Sequence, residues 1–196
     1  MPGPRLKKII SGMQSGGDLF GLEAAQKLGI PTGGYGAGAS GAVTKDSSGR
    51  NIEAPELRDK FGIAPVPPEI QQQFEQRYGK ATGARGLWLP RTYANVSSSD
   101  ATVYFITKDN SAGLAATKRY ADDLGKPFLI VDERKPEDMK KLADFSAANN
   151  IEVLNIAGNR ELSNPAFVEQ AISGAFGPSD LTSNLPMDPE QLIRNQ

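Results

Sequence analysis

Three short stretches place glycine beside hydroxyl, amide and carboxylate side chains at spacings that suit an anion: SGMQSGGD (residues 11–18), DNSAGLAAT (109–117) and NIAGNRE (155–161). In such stretches backbone N–H groups approach a ligand with no Cβ in the way, and a helix that follows adds roughly half a positive charge at its N-terminus. The candidates are Gly12, Gln14, Ser15, Gly16 and Asp18 in the first stretch, Asn110, Ser111, Gly113 and Thr117 in the second, and Gly158 and Arg160 in the third. Arg160 is the sharpest of them, because a guanidinium after a strand end can fork onto an oxyanion or a carboxylate. Each has a plainer reading beside the functional one. Gln14 and Ser15 could cap the next helix, Asp18 suits a first helical turn, and Asn95 and Asp100 are residue types that often just close turns. Trp88, Tyr93 and Tyr35 could wall a base or ribose or could be satellite core. The first stretch matches neither the dinucleotide fingerprint nor the phosphate loop that ends in Lys-Ser/Thr.

Composition narrows the chemistry. The 196 residues contain no His and no Cys. That removes the usual ligands of zinc, copper, haem and iron–sulfur clusters, and with them cysteine nucleophiles, Ser-His-Asp triads, disulfides and a histidine pH switch. With 22 basic and 23 acidic side chains the formal net charge is -1, so no overall field holds a nucleic acid and any anion site must be local. No apolar run is long enough for a membrane span, and MPGPRLKK passes into the first strand without a leader-like stretch. The expectation is a cytoplasmic protein whose partner is a small molecule or oxyanion, with no nucleic acid and no membrane.

The elements that must carry these loops follow from periodicity. A β-branched run at 7–11 leads through the first glycine loop to a helix over 19–28, where Leu19, Leu22, Ala25 and Leu28 recur at helical spacing before Gly29 and Pro31. The pattern repeats as strand 102–107, loop, helix 114–124, strand 128–131, helix from Pro136 to about 148, strand 152–156, loop, and helix 165–175. Alternation of this kind predicts an α/β, Rossmann-like three-layer fold with a mostly parallel sheet, its ligand loops at the carboxyl ends of the strands. Residues 33–91 break the rhythm, apart from a helix expected over 68–78, and read as a long loop insertion after the second strand, a candidate lid. One domain over 1–176 and an extended tail over 177–196 complete the organisation. Apolar residues of the tail, among them Leu181, Leu185 and Leu192, suit docking on a neighbour in a homo-oligomer, a dimer or tetramer.

The order of motifs also resembles a known family. KIISGMQSGGDLFGLEAAQKLGIPTGGY is similar to the opening of the molybdenum carrier family, the circularly permuted YpsA-like branch of the SLOG superfamily, where a KIISGGQTGVDRAAL-like run leads to a glycine-aromatic turn. RTYANVSSSDATVYF (91–105) is similar to its Arg-Thr, Asn-Val and Ser-Asp-x-Thr signature, SAGLAAT (111–117) to its SGGTxxT loop, and VLNIAGNRE (153–161) to its LNVAGPRE. Four motifs in order span most of residues 7–175. Three departures stand out: Leu114 replaces the central Thr of the second loop, Gln14-Ser15-Gly16 replaces QTG, and the segment between Gly36 and Arg91 is longer.

The resemblance implies a binding protein for a phosphate-containing, nucleotide-derived ligand or an oxyanion, with molybdate or the molybdenum cofactor as named possibilities. The related LONELY GUY phosphoribohydrolases carry a catalytic Glu where Thr117 stands here, so an enzyme acting on nucleoside monophosphates is the alternative. It would need another acid from Asp18, Asp100, Asp109 or Glu161.

Overall fold

The computed structural model describes residues 6–46 and 48–177; the tail from 178 onward, and the docking expected of it, lie outside the described residues. A short strand β1 (Lys8–Ile10) feeds helix α1 (Gly17–Lys27), and β2 (Thr32–Gly36) returns parallel to β1. A hairpin, β3 (Val43–Lys45) and β4 (Asn51–Glu53), stands off as its own two-stranded sheet. Helix α2 (Pro55–Phe61), edge strand β5 (Ile63–Pro65), helix α3 (Pro68–Tyr78) and helix α4 (Gly83–Ser97) come next. The second half runs β6 (Ala101–Ile106), α5 (Ala112–Asp123), β7 (Phe128–Asp132), a 3-10 turn (Pro136–Lys140), α6 (Lys141–Ala148), β8 (Val153–Gly158) and α7 (Pro165–Phe176).

The main sheet has the order β5-β2-β1-β8-β6-β7, and every pairing in it is parallel. β6 is buried along its whole length, as expected of a strand covered on both faces. Its alternation defines the layers. Val103 and Phe105 point into one core with Ile9, Leu154, Ile156, Phe167 and Ile172, beneath α1, α6 and α7. Tyr104 and Ile106 point the other way, against Leu114 of α5. On that second face Phe74, Tyr93 and Tyr120, from α3, α4 and α5, meet in an aromatic cluster with ring centroids 5.7–6.2 Å apart. The fold is the three-layer parallel α/β arrangement that the alternation predicts.

The segment 33–91 is more organised than its composition suggests. It holds most of β2, the hairpin, α2, an added edge strand, α3 with the expected bounds, and the first half of α4. TGGYG is a strand because β1 and β5 flank it with ladder partners, and Gly34, at φ 127°, allows a backbone approach that a Cβ would block 2.1 Å from the Ser11 carbonyl. Helix α4 continues through Pro90, which sequence rules read as a stop.

Close packing also sets where α1 begins. A Cβ at Gly17 would lie 2.5 Å from the Cα of Gly158 at the end of β8. Gly17→Ala therefore has to push the helix start off the sheet. We expect a stability loss of about 1–3 kcal/mol in urea unfolding, with the midpoint lowered and the m-value unchanged.

Candidate functional site

The loops after β1, β6 and β8 meet at the carboxyl edge of the sheet, and Asn159 ties them together. Its Oδ1 accepts from Thr107 N (2.9 Å) and Lys108 N (3.2 Å), its Nδ2 donates to Ser111 Oγ (3.1 Å), and its backbone carbonyl accepts from Gly17 N (3.2 Å). Ser111 in turn caps α5 by accepting from Leu114 N. Gly16, at φ 82°, caps α1, and a Cβ there would lie 2.3 Å from the Asn159 carbonyl. Met13, at φ 63°, is the one non-glycine residue at positive φ among the described residues. That conformation costs roughly 1–3 kcal/mol. It is held by the burial of its side chain with Leu22, Phe61 and Ile63 and by Thr44 Oγ1, which donates to its carbonyl (3.0 Å).

The strained turn brings Gly12 and Gln14 to one guanidinium, that of Arg91 on α4. Arg91 is 8% exposed. Its Nη1 donates to Asp18 Oδ2 (3.0 Å) and its Nη2 to Gln14 Oε1 (3.2 Å), while its buried Nε has no hydrogen-bond partner. A Cβ on Gly12 would fall 1.6 Å from Nη1, so only glycine leaves room for this arginine. One turn later on α4, Asn95 grips β2: its Oδ1 accepts from Tyr35 N and its Nδ2 donates to Tyr35 O, both at 2.9 Å, and also to Arg91 O at 3.0 Å. Asn95 thus fixes the helix that presents Arg91.

Around this pair lies a small cavity of about 40 Å³. Gly12, Gln14, Asp18, Asn95, Gly113, Thr117 and Gly158 line it, and these are the predicted residues that the fold brings together. Arg91, Tyr104 and Asn155 line it too, and reading the sequence for loop residues missed them. The available signal was the Arg91/Asn95 spacing of four within RTYAN, which puts both on one helical face.

The other predicted residues fall elsewhere. Asp100 precedes β6, so it sits at the amino edge of the sheet and, instead of closing a local turn, accepts from Glu152 N and Val153 N at the start of the neighbouring strand β8. Arg160 is exposed, with its guanidinium beside Gly49 of the hairpin and 3.7 Å from Glu161. Asn110 is exposed outside the cavity, and Ser15, Gly16 and Ser111 do not line it. Of the aromatic trio, Tyr93 is core, Tyr35 serves through its backbone, and Trp88 lies between Lys45 (5.3 Å) and Arg91 (5.4 Å) in two cation–π contacts.

A sequence profile described as the circularly permutated YpsA SLOG family matches residues 73–174, just over half of the chain. The chain belongs to this family. No curated protein matches the sequence at significant similarity. Among solved structures the chain is similar to the crystal structure of a protein from Syntrophus aciditrophicus SB named "putative molybdenum carrier protein", with 23% identity over 90% of this chain and 98% of that one and a TM-score of 0.67. At that identity the likeness speaks for a shared fold. The part of this SLOG chain matched by the profile includes Arg91, Asn95, Tyr104, Gly113, Thr117 and Asn159. Residues 12–18 lie before it, so the cavity joins a matched wall to an unmatched one.

Electrostatics in this SLOG cavity are set by burial. The Asp18 carboxyl is pushed above its ordinary value by desolvation, which outweighs the attraction of Arg91 and the hydrogen bonds from Gln14, Arg91 and Gly158. Burial likewise raises the Tyr104 phenol above its ordinary value. Of the four carboxylates that could serve a hydrolase, Asp18 alone lines the cavity. Asp109 pairs with Arg134 (2.6 Å) and Glu161 with Lys108 (2.9 Å) at the exposed rim. Thr117 spends its hydroxyl on the Gly113 carbonyl (2.7 Å).

A carboxyl raised on folding contributes stability that is whole below its unfolded value, about pH 4, and is lost as pH rises through the folded value. Urea unfolding of wild type and Asp18→Asn across a pH series should therefore show the wild type losing ground to the variant as pH climbs from about 4. A difference that stays flat or moves the other way would contradict the assignment.

Proposed function

We propose that this chain is a small-ligand binding protein that holds an anionic group, a phosphate or an oxyanion of molybdate type, in the cavity beside Arg91. The observation that carries this reading is Arg91, a buried residue whose Nε is enclosed and unpartnered. Leaving a charged donor unsatisfied in a low-dielectric interior is costly, and a chain with no use for it replaces it by an apolar residue at little or no loss of stability. An anion arriving there gains a charge-assisted hydrogen bond from a preorganised donor, beside the glycine loop of α1 and the Tyr104 hydroxyl.

The donor set is one of N–H and O–H groups with no His or Cys, which suits an intact tetrahedral oxyanion rather than a bare metal ion. Among the described residues no group of three or more Asp or Glu could hold a cation either. The molybdenum named for the similar protein fits this chemistry as cargo in the form of molybdate, and a phosphate monoester fits it equally. A cavity of about 40 Å³ has room for about three water positions, or for one tetrahedral anion.

The test is the melting temperature in rising phosphate and in rising molybdate. Binding should stabilise the fold by roughly 2.7 kcal/mol at about 100 times Kd, a rise of a few degrees. Arg91→Lys keeps the charge opposite Asp18 but loses the planar fork and the Nε donor, and should weaken the anion about tenfold or more. Equal stabilisation of wild type and Arg91→Lys, or none of either by any anion, would overturn the reading.

A further inference from the structure

We propose that the outer edge of β7 is a two-fold interface, on which a second copy of this chain lays its own β7 antiparallel and joins two six-stranded sheets into one. The surface shares no lining residue with the Arg91 cavity, and the inference stands whether or not that cavity takes an anion.

β7 (FLIVD) ends the sheet order, with β6 on one side and no strand on the other. Thr102 N donates to Pro127 O and Glu133 N to Ile106 O, both at 3.0 Å. Odd-numbered residues of this stretch therefore turn their backbone groups to β6, and even-numbered ones turn theirs outward. Of the three outward residues, Asp132 is already satisfied: its N–H donates to Asp138 Oδ2 (3.0 Å) and its carbonyl accepts from Lys135 N (3.0 Å). Phe128 and Ile130 are not; among the described residues nothing meets their N–H and C=O groups. The sheet's other edge is guarded, since β5 has three residues and ends on Pro65. β7 has no such guard, and its Phe128, Leu129 and Ile130 are only half-buried.

Two donors and two acceptors, spaced at 128 and 130, select a partner strand with the same spacing. With the two-fold axis at Leu129, Phe128 of each copy exchanges both bonds with Ile130 of the partner subunit, which uses every free group. A slip by two residues either way pairs them with Asp132 or Lys126, whose N–H groups are taken by Asp138 and by the Ala121 carbonyl. The same register sets Phe128 opposite Ile130 of the partner subunit on the α5 face, where both flank Tyr104 and Leu114. Aromatic and β-branched side chains in that relation stabilise a strand pair.

Charge favours a second copy over a foreign strand. Beside the edge a groove of about 350 Å³ runs along α5, with Leu114, Ala115 and Ile130 on its apolar side. Its rim carries both signs, among them Lys118 and Asp122 one helical turn apart. α5 connects two parallel strands and so runs back against them, and the axis sets two α5 helices antiparallel on one face of the joined sheet. Lys118 of each copy then faces Asp122 of the partner subunit. The surface is complementary to itself, as a two-fold interface requires.

The chain has no Cys, so one introduced thiol reads the register. Leu129→Cys lies on the axis, where opposed Cα atoms are about 4.5 Å apart, within disulfide range. Mild oxidation of this variant of the full chain should give a covalent dimer. Sedimentation of the wild type at micromolar concentration should give twice the chain mass, and Ile130→Lys, with a cooperative melt, should give the chain mass alone. Lys118→Glu leaves the strand intact and should weaken the dimer about tenfold, and adding Asp122→Lys to it should restore the affinity. If Ile130→Lys fails to fold, Lys118→Glu and its rescue decide. A wild type of single mass, a dimer that survives both Ile130→Lys and Lys118→Glu, or a dimer that Leu129→Cys does not cross-link would overturn the proposal. A dimer that both substitutions leave intact and that deletion of residues 178–196 dissolves would assign the contact to the tail instead.

Discussion

The ion pair between Arg91 and Asp18 is the constraint to which the carboxyl edge of the sheet is fitted. Taking two charges out of water costs several kcal/mol each, and their attraction returns this only where geometry and further hydrogen bonds are good. Here the fit is visible in what surrounds the pair. Gly12 gives up its Cβ to Nη1, Gln14 accepts from Nη2 and donates its N–H to Asp18, and Asn95 anchors the helix one turn away. Yet Nε is left over, and the Asp18 carboxyl is held at a burial cost that Arg91 does not fully offset. A pair built for stability alone would not keep an idle donor. One built to receive a second anion has a reason to.

The scaffold that holds this pair is rigid for identifiable reasons. Asn159 couples all three ligand loops through one side chain and one carbonyl, so none of them moves without the others. Met13 stays in its left-handed conformation because its side chain is pinned in a buried cluster and its carbonyl is taken by the β3–β4 hairpin. On the far face the rings of Phe74, Tyr93 and Tyr120 pack α3 against α4 and α5, which keeps Arg91 in register with the first loop. Preorganisation of this sort lets a small number of donors bind an anion without an ordering cost at the moment of capture.

Much of this was legible in the residues and some was not. Strands and helices from β6 onward follow from alternation, because each strand is a clean apolar run and each helix has an opening or closing signal. β2 was hidden by three glycines in five residues, a composition that means loop unless neighbouring strands impose a ladder. α4 was hidden by Gly83, Gly86 and Pro90, and with it the burial of Arg91. Arg160 and Arg91 are equally plausible as sequence, and only packing decides that one is exposed and the other enclosed. Asp100 is different: it precedes its strand, and strand polarity alone puts it at the edge away from the ligand loops.

The central claim is that Arg91 Nε is the waiting donor of an anion site, and side-chain nitrogen NMR observes that atom directly. The Arg91 Nε–H signal, assigned by its loss in Arg91→Lys, should move saturably as phosphate is titrated into the full chain, with the same dissociation constant as the thermal stabilisation. An Arg91 signal that stays in place while phosphate shifts only signals of exposed arginines such as Arg160 would contradict the account.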